Sequence, residues 1–111
     1  MLEKLVTKMK YRVRTYEDPI LGLADAKNYI VELLFLDIKL PNMNGLDFLK
    51  ALRKIQENPD FPVVVMTGYT QKEMVQEIMK HNINGLLAKP VDLKRAISYL
   101  KTLGGNALNN S

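Results

Sequence analysis

The chain has 111 residues, 47% of them hydrophobic and 25% charged, with no cysteine and a net charge of +4. That length suits one domain with one core, and the composition is ordinary for a soluble globular protein. It excludes a disulfide framework and a thiolate metal site, and the basic residues are scattered rather than massed, so direct nucleic-acid binding is not expected.

In chain order, Leu2, Leu5, Val6 and Met9 recur at helical spacing and predict an amphipathic helix over 2–9. "YRVRTY" (11–16) alternates branched or aromatic residues with others and reads as a half-buried edge strand. Asp18 and Pro19 open a helix as N-cap and first helical residue, with Ile20, Leu23, Ala24 and Ile30 as its buried stripe. A second strand is predicted over 32–37, then a loop over 38–44. A helix follows with Leu46, Leu49, Leu52 and Ile55 inward, ended by Asn58 and Pro59. "FPVVVMTGY" predicts a strand over 62–67. Thr70 and Glu73 form a capping box for a helix that buries Met74, Val75, Ile78 and Met79. Asn84 and Gly85 make a turn before a short strand, "LLAKP". Asp92 caps the last helix, whose core face is Leu93, Ala96, Ile97, Leu100 and Leu103. A domain over 1–103 is expected, with 104–111 as a polar tail. No apolar run approaches the ~20 residues of a membrane span, and no signal-peptide core is present, so a cytoplasmic protein is expected.

The order is helix, then strand and helix in alternation, which predicts an α/β, doubly wound parallel sheet with helices on both faces. In "LLFLDIKLPNMNG" (33–45) an apolar run suited to a strand covered on both faces ends in Asp37. Such a strand releases its last residue at the carboxyl edge, where open α/β sheets place ligands. Thr67 and Lys89 end two other strands at the same edge. An acid, a hydroxyl and an ammonium thus converge, and Asp37 could accept a phosphoryl group whose oxygens Lys89 and Thr67 hold. Gly68 leaves space beside Thr67, and a cis bond before Pro90 would fix the exit angle of Lys89. His81 reads as a solvated or capping residue.

"LLFLDIKLPNMNGLDFL", "PVVVMTGYT" and "GLLAKPVDL" together resemble the receiver domains of two-component response regulators. Pro41 and Gly45 sit where that family has proline and glycine, and the segment before Asp37 looks most like receivers of the LytR/AlgR class. The resemblance implies a flavodoxin-like fold and phosphorylation of Asp37 by a histidine kinase. It also implies Thr67 as switch hydroxyl, Lys89 as phosphate-binding lysine, and Mg²⁺ held by Asp37 and the backbone carbonyl of Lys39. Lys39 and Tyr69 fall where the family varies its dephosphorylation rate.

Two departures accompany it. The family's switch aromatic falls at Leu86, and the family's first strand, with the acidic pair that holds Mg²⁺, has no counterpart. The chain is read as beginning inside the helix after that strand, so weak Mg²⁺ binding is expected. Glu17 and Asp18 form another acid pair after a predicted strand, but Asp18 caps a helix and that strand belongs at the sheet edge, which argues against a metal role. Without the first strand, "ELLFLD" exposes an unpaired edge; a homodimer through that exposed or exchanged edge is expected over a "YRVRTY" strand that slides across to pair with it. The alternative function is an interaction or dimerisation module that has lost Mg²⁺-dependent phosphorylation.

Overall fold

The computed structural model describes Lys4, Thr7, Lys8 and residues 11–40, 43–68 and 71–103. Of the helix predicted over 2–9, Lys4, Thr7 and Lys8 are helical. Its apolar residues Leu2, Leu5, Val6 and Met9 lie outside the described residues, as do Pro41, Tyr69, Thr70 and the tail 104–111.

Helix α1 (Pro19–Asp25) starts as the sequence demands: Pro19 is at the first turn, and Asp18 Oδ1 accepts the Ile20 N–H at 2.9 Å. A 3₁₀ turn, Ala26–Asn28, follows it. The buried stripe differs from the expected one. Pro19, Gly22 and Ala26 are buried and Leu23 packs against the core, whereas Ile20 is 59% and Ile30 68% exposed and Ala24 is exposed. Positions 19, 22, 23 and 26 still have helical spacing. The face at Gly22 looks toward Tyr16 and Phe48, with which a Cβ would make ordinary contact at 3.4 Å and 3.6 Å.

The sheet is parallel, three-stranded and ordered β1-β4-β5, from β1 (Leu34–Asp37), β4 (Val63–Thr67) and β5 (Gly85–Ala88). Leu34 pairs with Val63 and Asp37 with Met66; Val64 pairs with Gly85 and Thr67 with Ala88. Alternate side chains enter two cores, as expected for a strand covered on both faces. Leu36, Val63 and Val65 pack with Phe48, Leu49, Leu52, Phe61 and Ile78 on one side. Val64 and Leu87 pack with Ala96, Leu33, Phe35, Met66, Tyr99 and Leu103 on the other. Gly85 opens β5 rather than a turn, and the Tyr99 ring occupies the space a Cβ there would need. Asn84 ties the strand starts together, donating its N–H to Val63 O at 2.8 Å while its Oδ1 accepts from Val63 N at 3.0 Å.

The segment predicted to loop over 38–44 contains a two-residue antiparallel pair, β2 (Lys39–Leu40) with β3 (Met43–Asn44). Helix α2 (Gly45–Ile55) is capped by Asn44 and buries Phe48, Leu49 and Leu52. It stops before Asn58 because Gln56 turns to extended backbone and bonds elsewhere with its side chain. Helix α3 (Lys72–Met79) has Gln71 at its N-cap and buries Ile78 alone. Met74 and Met79 are exposed rather than core, since α3 lies beside the outer strand β5. Helix α4 (Leu93–Leu103) is capped by Asp92, which accepts the Lys94 N–H, and buries Ala96 and Leu100 with Leu93, Ile97 and Leu103 half-buried.

Residues 11–16 are a correction: they form no strand. Side chains fix the segment instead. Tyr11 donates to Leu100 O at 3.5 Å, Arg14 bonds Asp25 at 3.3 Å and lies over the Tyr29 ring at 4.4 Å, and the Tyr16 hydroxyl donates to Asp25. Among the described residues, β1 is therefore an edge strand. Leu34 and Ile38 donate to Pro62 and Met66, so in the parallel ladder Phe35 and Asp37 turn their backbone groups to the open side.

Candidate functional site

Parallel strands share one carboxyl edge, and register decides what meets there. Asp37 ends β1 beside Met66, Thr67 ends β4 beside Ala88, and Lys89 follows β5 directly. The Lys89 N–H donates to Thr67 O at 2.8 Å, and the Lys89–Pro90 peptide is cis. The Lys89 ammonium lies 2.5 Å from Asp37 Oδ2, with the two side chains 40% and 34% exposed. The other carboxylate oxygen, Oδ1, accepts the Lys39 N–H at 2.9 Å. Of the sequence-predicted residues, the structure thus brings Asp37 and Lys89 into direct contact, with the Lys39 backbone against the same carboxylate.

Thr67 is buried, at the end of the strand between them. It also contributes to a groove of about 500 Å³ along the outer side of β5, with Val75, Met79, Leu86, Arg95 and Tyr99. A Cβ on Gly68 would meet nothing within 4 Å, so the space beside Thr67 is open. Gly45 has the opposite surroundings. A Cβ there would lie 2.8 Å from Asp37 O and Ile38 Cα, and the Gly45 N–H donates to Ile38 O at 3.0 Å. Gly45 therefore lets the start of α2 press against the backbone that carries Asp37, and this role was visible in the sequence only as a loop glycine.

Glu17 and Asp18 do not join the site as a cluster. Asp18 caps α1, and among the described residues no group of three His, Cys, Asp or Glu side chains could hold a metal ion. His81 is half-buried at the end of α3, and its carbonyl accepts from Arg53 Nη1 at 3.0 Å.

Sequence reasoning passed over Gln56 and Arg53. The Gln56 carboxamide accepts from Val31 N at 2.7 Å and donates to Ala26 O at 2.8 Å and Tyr29 O at 3.1 Å, holding the chain that enters β1. Arg53 donates to the carbonyls of His81 and Asn82, each at 3.0 Å, and its guanidinium lies 5.6 Å from the Phe61 ring centroid. Both read as ordinary polar residues near a helix end. Their partners are distant in sequence, so no local signal marks them.

Among the described residues no helix is long and apolar enough to cross a membrane. The model of the response regulator receiver domain matches residues 1–101. The two-component response regulator ARR20 of Arabidopsis thaliana is 34% identical over 101 residues, 89% of this chain and 23% of that protein. The chain thus spans about a quarter of that relative's length. A response regulator of Burkholderia pseudomallei, solved with a phosphorylated aspartic acid, calcium ion and citrate, is 28% identical with a TM-score of 0.74, over 96% of this chain and 59% of that one. The receiver domain of the Pseudomonas aeruginosa sensor histidine kinase PA1611, with magnesium in its active site cleft, has a TM-score of 0.78 at 22% identity, over 94% of this chain and 85% of that one. With a parallel sheet covered on both faces, an aspartate and a lysine meeting at its carboxyl edge, and a family match along residues 1–101, the chain belongs to the response regulator receiver domain family.

Proposed function

We propose that this receiver domain accepts a phosphoryl group on Asp37 from a histidine kinase and thereby switches a partner or output. The observation that carries the reading is the Lys89 ammonium 2.5 Å from the Asp37 carboxylate, at the edge that Thr67 shares. An Asp37 oxygen forms a bond to phosphorus while the P–N bond of the phosphorylated imidazole breaks and its electron pair returns to the ring. Lys89 and Thr67 then hold the phosphoryl oxygens, meeting negative charge with a cation and a hydroxyl. A Cβ on Gly68 would meet nothing within 4 Å, which supports room for the group. The phosphorylated aspartate of the Burkholderia relative supports the same chemistry here. As a receiver, the chain is a signalling domain rather than a member of a classical enzyme family, and the proposed donor sets it to work in the cytoplasm. The test is labelling of the intact chain by a small P–N donor. Hydroxylamine-sensitive label that disappears in Asp37→Asn is expected; label that survives the substitution defeats the assignment.

A second reading, an interaction or dimerisation module, is favoured by the side of β1 that has no neighbouring strand among the described residues. An unpaired strand edge is a template for another chain. We propose a homodimer formed through this edge, compatible with phosphorylation of Asp37 and distinguishable from it by oligomeric state alone. Mg²⁺, expected from the family resemblance, is proposed to bind weakly. Magnesium is usually held by one or two carboxylates with waters and phosphate. Asp37 and the Lys39 carbonyl are the donors this reading assigns.

A further inference from the structure

Several acidic residues of the chain are already engaged, and no others gather into a ligand cluster among the described residues. Of the twelve, all but Glu3 lie among the described residues. Asp18 and Asp92 cap helices; Asp25 takes bonds from Arg14, Tyr16 and Asn28; Glu77 pairs with Lys80 at 3.3 Å. Asp47 lies exposed in the first turn of α2, and Glu73 lies exposed in that of α3. Glu57 and Asp60 precede β4, at the opposite end of the sheet from Thr67. Glu17 and Glu32 are exposed, and no cluster of three ligating side chains exists among the described residues.

Asp37 is also already engaged. One oxygen faces the Lys89 ammonium at 2.5 Å and the other accepts the Lys39 N–H. With Lys39 in the same short segment, the formal charges of Asp37, Lys39 and Lys89 come to +1 before any ion arrives. A divalent cation would bring this to +3, against an ammonium already seated on the carboxylate. Transfer of a phosphoryl group, which turns the Asp37 carboxylate into an acyl phosphate carrying two negative charges in all, would bring it to 0. Coulomb's law favours the anion over the cation at such a site. The residues therefore do not fit a resident Mg²⁺, and the weak binding proposed above leaves the site without one at ordinary concentrations.

We propose that Lys89 balances the charge of the Asp37 site in place of a divalent cation, so that this chain takes a phosphoryl group without Mg²⁺. The proposal rests on the phosphoacceptor reading and specifies its cation requirement. In the step, Asp37 attacks phosphorus, the P–N bond of the donor breaks, and the amine leaves with the electron pair. Lys89 faces the oxygens on which charge develops.

Two measurements on the intact chain test it. In the first, Mg²⁺ alone is titrated while the amide resonances of Lys39, Gly68 and Lys89 are followed. No saturable shift is expected through tens of millimolar, and saturation below a millimolar overturns the proposal. In the second, phosphoramidate labels the chain in Mg²⁺ or in excess EDTA. Label within about twofold between the two buffers is expected, whereas a loss of about tenfold or more in EDTA overturns the proposal and leaves the phosphoacceptor reading standing. Label absent from both buffers defeats that reading and the transfer step with it, while the Mg²⁺ titration still decides the cation requirement. Lys89→Ala should lose label in EDTA and acquire a saturable Mg²⁺ response, because the carboxylate is then without its ammonium. Lys89→Arg, which keeps the charge, should retain label in EDTA; loss of it there counts against the charge-balance argument.

Discussion

Lys89 and Asp37 follow and end strands that do not touch, yet their side chains meet, with Nζ 2.5 Å from Oδ2 across the intervening β4. Two strand spacings amount to roughly 10 Å, which a lysine stem bridges and shorter side chains do not. Lys89→Ala should therefore reduce labelling of Asp37 more than Thr67→Ala, since the ammonium reaches the carboxylate directly and meets developing charge. Equal losses in a side-by-side labelling time course would count against the special place given to the lysine.

The two glycines of the site should respond oppositely to alanine. At Gly45 the new Cβ would lie 2.8 Å from backbone atoms of Asp37 and Ile38, which have no rotamer to change. Gly45→Ala should cost about 1–3 kcal/mol, as overpacking does. Gly68→Ala meets open space and should shift stability by no more than about 0.5 kcal/mol. Urea unfolding of both variants beside the parent decides this.

Gln56→Leu removes one carboxamide that serves Val31, Ala26 and Tyr29 together. These backbone groups lose their side-chain partner beneath the entry to β1. A loss of about 3 kcal/mol is expected, seen as a lower urea midpoint at unchanged slope. A variant as stable as the parent would mean that water replaces the carboxamide without penalty.

Tyr29 should ionise above the ordinary tyrosine range. Desolvation raises its pKa first, the Asp25 carboxylate raises it further, and Arg14 opposes them. Because the folded-state value is raised, the stability it contributes is fully present below the ordinary tyrosine value. That contribution is lost as pH rises through the folded value. Asp25→Asn should bring the phenol down and Arg14→Ala should push it up. Alkaline absorbance titration, with Tyr29→Phe subtracted, reads both directions.

The side of β1 left without a strand among the described residues carries the proposed self-association. Sedimentation at tens of micromolar should find dimers, and a compact monomer at every concentration would defeat the edge-pairing proposal.

Sequence alone determined the parts of this protein whose cause is local. The runs "LLFLD" and "VVVMT" are apolar without alternation, which demands a strand covered on both sides, and both faces of the sheet are indeed packed. Asp18, Asp92 and Pro19 announced their helices because capping involves neighbours two or three residues away. Asp37, Thr67 and Lys89 were legible as a set because every strand of a parallel sheet ends at the same edge. Tertiary structure decided what depends on remote partners. It left "YRVRTY" without a strand, because Arg14 and Tyr16 are taken by Asp25 and the described residues offer no neighbouring strand to complete a ladder. It turned Pro19, Gly22 and Ala26 inward in place of Ile20, because the side of the helix that meets the core is set by residues remote in sequence, such as Phe48. It also set Lys89 directly on Asp37, 52 residues away in sequence, because only the registers on either side of β4 fix how far apart those two side chains begin.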